Sequence, residues 1–257
     1  MRLIVSLRLA SYAVLLFTLL GCASTEEIMR TNADPLAPYN RVMFKVNDGV
    51  DRVLLKPVAR GYLYITPQPV RNSVGNFFGN LEDVVTVAND VLQLKFYQAL
   101  EDTTRVVYNT SFGVLGLFDV ATHMGLPKNN EDFAQTLGYW GVGEGYYLVL
   151  PLLGPSTTRD VWGILPDRYL NPTQFGFIPV RENPRYVLTG LNLIDSRATV
   201  LEIQDRLGEP LDPYAFQRDA YLQLRRNLVF DGNPPQPSFE LDDLDDLDDP
   251  LPETEAQ

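Results

Sequence analysis

One cysteine and one histidine limit the chemistry open to this 257-residue chain. Cys22 follows Leu19-Leu20-Gly21, and before it runs an almost wholly apolar stretch from Leu9, with Arg2 and Arg8 and no acid at the start. A charged start, a short apolar run and a small residue directly before a cysteine read as a secretory signal of the lipoprotein kind. The run is too short for the ~20 residues of a spanning helix. The pattern predicts export, cleavage after Gly21 and acylation of Cys22, for instance with palmitate. An acylated thiol forms no disulfide, so folding must come from packing alone. Ala23, rather than Asp, follows the cysteine, which favours the outer of two membranes.

No catalytic set accompanies that cysteine. His123 stands alone near Gly125-Leu126-Pro127 and reads as a surface or satisfied side chain, and one His cannot build a zinc site. Ser111 and Ser156 lie outside any Gly-x-Ser-x-Gly elbow. Gly141-Val142-Gly143-Glu144-Gly145 has neither the dinucleotide nor the phosphate-loop spacing. The adjacent carboxylates Glu82-Asp83 and Glu131-Asp132 diverge on a helix and are expected to cap helix starts. These readings predict no cofactor, no metal and no enzyme: a binder or a conduit.

The chain carries 21 basic and 33 acidic residues, a net charge of −12. Nine acids, from Glu240 to Glu255, lie in the last 18 residues without a base. Setting aside that tail and the two leading arginines leaves 24 acids against 19 bases, which gives no case for nucleic acid as a partner. The Leu-Asp-Asp repeats are too charged to fold. The expected organisation is a signal peptide over 1–21, an acylated tether over 22–33, one helical domain over 34–231, and a Pro-rich, then acidic, disordered tail over 232–257.

The elements follow from apolar spacing. Asp34-Pro35 is expected to open a helix as N-cap and first-turn proline, with Leu36, Tyr39, Met43, Val46, Val50 and Val53 as its stripe and Arg41, Lys45, Asp48 and Asp51 off it. Pro69 opens a second, with Val70, Val74, Phe77, Phe78 and Leu81 opposite Arg71, Asn72, Asn76 and Asn80. Glu82–Lys95 and Phe96–Thr110 read as helices, the latter with Leu100, Val106 and Val107 against Glu101, Asp102 and Arg105. The apolar run Ser111–Phe118 is either core or a segment dipped into lipid. Leu137–Tyr147 mixes glycine with Tyr and Trp and reads as a flexible loop at headgroup level. The prolines of Tyr147–Pro155 argue against a regular central strand. Asn183-Pro184 and Asp212-Pro213 start two late helices, the second closing near Asp231-Gly232. The fold class is therefore all-α.

Several blocks, in order, carry a resemblance: Asp34-Pro35-Leu36, Tyr39 through Asp48, Pro69-Val70-Arg71, Asn76 through Leu81, Phe133 through Gly138, Gly141 through Gly145, and Leu150-Pro151 through Asp160. They resemble the MlaA (VacJ) outer-membrane lipoproteins, over roughly Asp34 to Phe230. The resemblance implies a ring of amphipathic, interfacial helices lying in the membrane around an amphipathic channel. It implies an outer-membrane lipoprotein, anchored in the periplasmic leaflet, that removes misplaced phospholipid from the outer leaflet. Its implied partners are phospholipid, an outer-membrane porin trimer and a periplasmic phospholipid carrier of the Mla system. Gly141, Gly143 and Gly145 are then expected to form a hinge that adjusts the opening of the ring. The alternative is an envelope scaffold that uses its lipid only as an anchor.

Overall fold

The computed structural model describes residues 34–173, 182–208 and 210–235. The signal sequence, Cys22 and its tether, and the acidic tail lie outside the described residues. The elements are α1 (Ala37–Val50), α2 (Lys56–Ile65), α3 (Gln68–Leu92), α4 (Phe96–Ser111), α5 (Val120–His123), α6 (Phe133–Tyr139), β1 (Tyr147–Leu150), β2 (Gly154–Thr157), α7 (Thr158–Leu170), α8 (Glu182–Leu207) and α9 (Pro213–Val229). The class is all-α, with one two-stranded antiparallel ribbon.

Several boundaries differ from the expectation. Asp34 does not cap α1: the N-cap position is Leu36, and the Asp34 carboxylate accepts instead from Asn40 (3.1 Å) and the Tyr214 hydroxyl. The first helix does not stop near Val53. It passes through a wider π-turn, Asp51–Leu55, into α2. Pro57 has no N–H to give the preceding turn, and its ring crowds the carbonyl four residues back, so a widened turn lets the helix continue. The second and third expected helices are one 25-residue helix, α3, so Glu82-Asp83 sits in mid-helix and caps nothing. Asp132 does cap: its side chain accepts the Gln135 N–H at the start of α6. Asp212 likewise caps α9 through Tyr214 and Ala215.

The strand reading also changes. Tyr147 to Thr157 fold back as a hairpin, with Tyr147 opposite Thr157 and Leu150 opposite Gly154. Pro155 is tolerated because a two-stranded ribbon has only edge strands. The open edge of β1 does not stay bare. Asn40 donates to the Tyr147 carbonyl (3.0 Å) and accepts from the Val149 N–H (2.9 Å). Two helical turns on, Asn47 does the same with the Leu150 carbonyl (2.9 Å) and the Leu152 N–H (2.8 Å). Helix α1 is thus zipped to the ribbon by two side-chain amides.

The packing closes on itself. α2 packs on α8, α8 on α3, α3 on α6, α6 on α9, α9 on β2, and β1 on α1, which leads back into α2. Arg197 of α8 reinforces the circuit with a two-pronged pair to Asp51 in the π-turn, at 2.5 and 2.7 Å.

Gly163 of α7 meets α6 closely: a Cβ there would lie 2.8 Å from the Ala134 amide nitrogen and 2.9 Å from its Cβ. Alanine gains at most ~1 kcal/mol of helix propensity, whereas overpacking against backbone costs about 1–3 kcal/mol. Gly163→Ala is expected to lower the thermal midpoint of the detergent-solubilised protein by several degrees. An unchanged or higher midpoint would mean that the two helices separate freely.

Candidate functional site: a polar interior with two adjoining cavities

The predicted amphipathic helices are present, but their polar faces point inward. Among the described residues, twenty polar or charged side chains are buried against eleven apolar ones, five of which are alanine. Half of the first apolar stripe is exposed, with Tyr39 and Val46 of α1 and Val53 of the π-turn at 42, 46 and 81 %. The one buried residue of α1 is Asn40. On α4, Leu100 and Val107 face out while Asp102, Arg105 and Asn109 are buried. Phe112, Val114, Leu115 and Phe118 are exposed, so the apolar run after α4 is not core. Water-soluble cores show the opposite partition.

Buried charges are costly unless paired, and the interior is organised around such pairs. Arg105, 1 % exposed, reaches Asp83 of α3 (3.5 Å), Asp119 (3.3 Å), the Thr122 hydroxyl (3.1 Å) and the Leu126 carbonyl (2.6 Å). Lys128 supplies Asp83 with a second cation at 3.0 Å. Burial alone would raise the Asp119 carboxyl, but hydrogen bonds from Thr122 and Asn109, with the Arg105 charge, hold it down at about 2. Arg225 of α9 joins Asp132 and Asp160, and Tyr221 donates to the same Asp160 (2.6 Å).

Two cavities open beside the Arg105 cluster. The larger, about 760 Å³, lies between the first turns of α3, the 117–123 segment and α8; the smaller, about 260 Å³, adjoins it. Gly75, Asn76 and Asp119 line both. Leu63, Leu117, Phe118 and Ala198 give the larger cavity an apolar side, and Arg71, Asn72, Asp195 and Glu202 a polar one.

Of the polar side chains expected opposite the second apolar stripe, Arg71 lines the larger cavity, Asn80 the smaller and Asn76 both. His123 is exposed at the rim of the larger, its Nδ1 2.9 Å from the Asp119 carbonyl. The glycine loop lines neither cavity. Gly141 follows α6 at φ +87°: its N–H goes to the Gly138 carbonyl and that of Val142 to the Leu137 carbonyl, a helix stop that needs a left-handed residue. Gly145 is also left-handed, against Thr158. Asp119, Asp195 and Arg105 were not singled out as site residues from sequence; the visible hint was a face of α4 carrying both charge signs.

Residues 32–228 match the family described as MlaA lipoprotein. The chain belongs to the MlaA lipoprotein family. It is 35 % identical to the Escherichia coli K12 protein named intermembrane phospholipid transport system lipoprotein MlaA, over 94 % of this chain and 98 % of that one. It is 32 % identical to the Haemophilus influenzae protein of the same name, over 83 % and 87 % of the two chains. A solved structure from work on the structural basis for maintenance of bacterial outer membrane lipid asymmetry superposes with TM-score 0.65 at 33 % identity, covering 78 % of this chain and all of that one. The MlaA family is one of transport lipoproteins, in keeping with a site that has cavities and ion pairs. No helix among the described residues is long and apolar enough to cross a membrane.

One interior pair of carboxylates, Asp90 and Asp102, forms no ion pair with a basic side chain among the described residues. Asp90 and Asp102 are both fully buried; Asn129 donates to Asp102 at 3.0 Å. Burial, then the Asp102 charge, pushes the Asp90 carboxyl up to about 8, with Glu131 adding to the shift and Lys95 opposing it. The unfolded chain releases that proton near pH ~4, so folding stability should fall as pH rises from there to about 8. Asp90→Asn stays neutral and should flatten this decline. Chemical denaturation at pH 5 and pH 8 checks it: an equal loss in both proteins would show that Asp90 is already ionised at pH 5.

Proposed function

We propose that this protein is an acylated lipoprotein of the outer membrane, anchored through Cys22 in the periplasmic leaflet, that takes misplaced phospholipid from the outer leaflet and passes it to a periplasmic carrier. The observation that carries this reading is the inverted partition: apolar side chains outside, polar ones inside, and a half-polar, half-apolar cavity within. A bilayer reverses the usual solvent preference, because hydrocarbon rewards an apolar exterior and an enclosed polar interior can keep water for a headgroup. The exposed 112–118 segment alone presents Phe112, Val114, Leu115, Leu117 and Phe118. At ~1.5–3 kcal/mol for each buried apolar side chain, its immersion contributes on the order of 10 kcal/mol. Exposed Trp140, Tyr139, Tyr146 and Trp162 suit the headgroup level, where one edge is wet. Several acyl chains on Cys22 would make the attachment practically irreversible. No covalent step is required for a phospholipid to move through. Docking beside a porin trimer and hand-over to a carrier belong to this same proposal, and the names of the relatives support its intermembrane phospholipid transport.

Outer-leaflet phospholipid in cells lacking the protein tests the reading. It is expected to rise, and to fall again with the wild type but not with Cys22→Ala. If it never rises, the protein is an envelope scaffold that uses its lipid only as an anchor.

The glycine loop is proposed as the hinge of the ring. Gly141→Pro removes the N–H that ends α6, so Gly143→Pro is the cleaner probe. Gly143→Pro is expected to raise surface phospholipid while abundance stays at the wild-type level. Reduced abundance would instead mark the loop as a folding element.

A further inference from the structure

The charges lining the larger cavity do not all cancel. Arg71 is paired with Glu202 at 2.9 Å and also accepted by Gln68 and the Leu63 carbonyl. Asp119 is paired with Arg105. Asp195 of α8 is different. It is about nine-tenths buried, one carboxyl oxygen accepts the Tyr62 hydroxyl at 2.8 Å, and no basic side chain among the described residues forms an ion pair with it. Its other oxygen, Oδ2, lies toward Gly75, 3.6 Å from where a Cβ there would sit, and Gly75 lines both cavities. In the adjoining cavity Asn80, 6 % exposed, holds a second acceptor, its Oδ1, with no donor. A buried carboxylate with one neutral hydrogen bond and no counter-ion is costly, and the cost is relieved when a cation enters beside it.

We propose that Asp195 is the counter-ion for the ammonium of a zwitterionic phospholipid headgroup, so that the cavity selects lipids ending in a primary amine over lipids with a neutral polyol headgroup and a net negative charge. The inference rests on the transport reading. The surrounding chemistry fits a zwitterion: the ammonium meets Asp195, with Asn80 as a further acceptor in the adjoining cavity, while the phosphodiester faces the side-chain amide of Asn72 on the wall of the larger one. Leu63, Leu117, Phe118 and Ala198 take the first carbons of the acyl chains. An anionic polyol lipid would bring a phosphodiester toward Asp195 without a cation to offset it, and like charges at close range repel.

The test uses the full acylated protein purified from its own outer membrane, with bound lipid extracted and compared with the surrounding membrane by mass spectrometry. Wild type is expected to hold phosphatidylethanolamine over phosphatidylglycerol in a ratio enriched about tenfold or more, the discrimination one charge-assisted contact supplies. Asp195→Asn keeps an acceptor for Tyr62 and should return the ratio to that of the membrane. Tyr62→Phe keeps the carboxylate and should retain the enrichment, which separates loss of charge from loss of packing. Bound lipid at the membrane's own ratio in wild type overturns the inference and leaves transport standing; this is also the result if Asp195 takes a soluble cation instead. Enrichment that survives Asp195→Asn overturns it as well. A wild-type protein that retains no phospholipid overturns the inference together with the transport reading.

Discussion

A polar group buried inside this protein has to find its partner within the protein, because bulk water does not reach it there. That constraint organises the rest. Where helices turn Asn, Asp and Arg inward, each buried group is costly alone and harmless when paired, so the helices can meet only where opposite groups coincide. Arg105 ties α4 to α3 and to the segment before α5; Arg225 ties α9 to α6 and α7; Arg197 ties α8 to the π-turn. Apolar packing is local by comparison: Ala59, Ala198 and Leu201 with Tyr62 and Leu63 between α2 and α8, and Tyr147, Val149 and Tyr214 between the ribbon and α9.

The same economy explains the ribbon. A bare strand edge is a row of unmet backbone groups, and in an apolar surrounding it has no water to turn to. Asn40 and Asn47, seven residues apart on α1, each present a side-chain amide that imitates a neighbouring strand. Two residues thus satisfy four backbone groups of the hairpin and fix the angle at which α1 enters the ring. The glycine loop leads into this hairpin from α6, which gives a hinge there a direct mechanical route to α1.

In the proposed transport, conduction and stability draw on the same side chains. Ion pairs that hold helices together, such as Arg105 with Asp83 and Asp119, stand at the wall of the cavities. Charges spent on one another present little net field to a passing headgroup. A group left without a counter-ion, as Asp195 is, contributes little to closure and is available to what enters. On this view selectivity resides in the exceptions to the pairing rule.

Much of the architecture was legible in the residues. The stripes at three- and four-residue spacing located α1, α3, α4 and α9, and Asp-Pro or Asn-Pro steps marked the late helix starts. The family blocks were legible too. Continuity was not: Pro57 and Glu82-Asp83 look like breaks, and only neighbouring helices make a π-turn and an uninterrupted α3 the better solution. The hairpin was hidden because its stabilising partners, Asn40 and Asn47, lie more than a hundred residues away. Above all, periodicity reveals that a helix has two faces without saying which one turns in. That choice depends on what surrounds the folded ring and on which distant charges can meet inside it, so the sequence determined the helices and their sidedness, while the tertiary structure alone decided that the polar side is the interior.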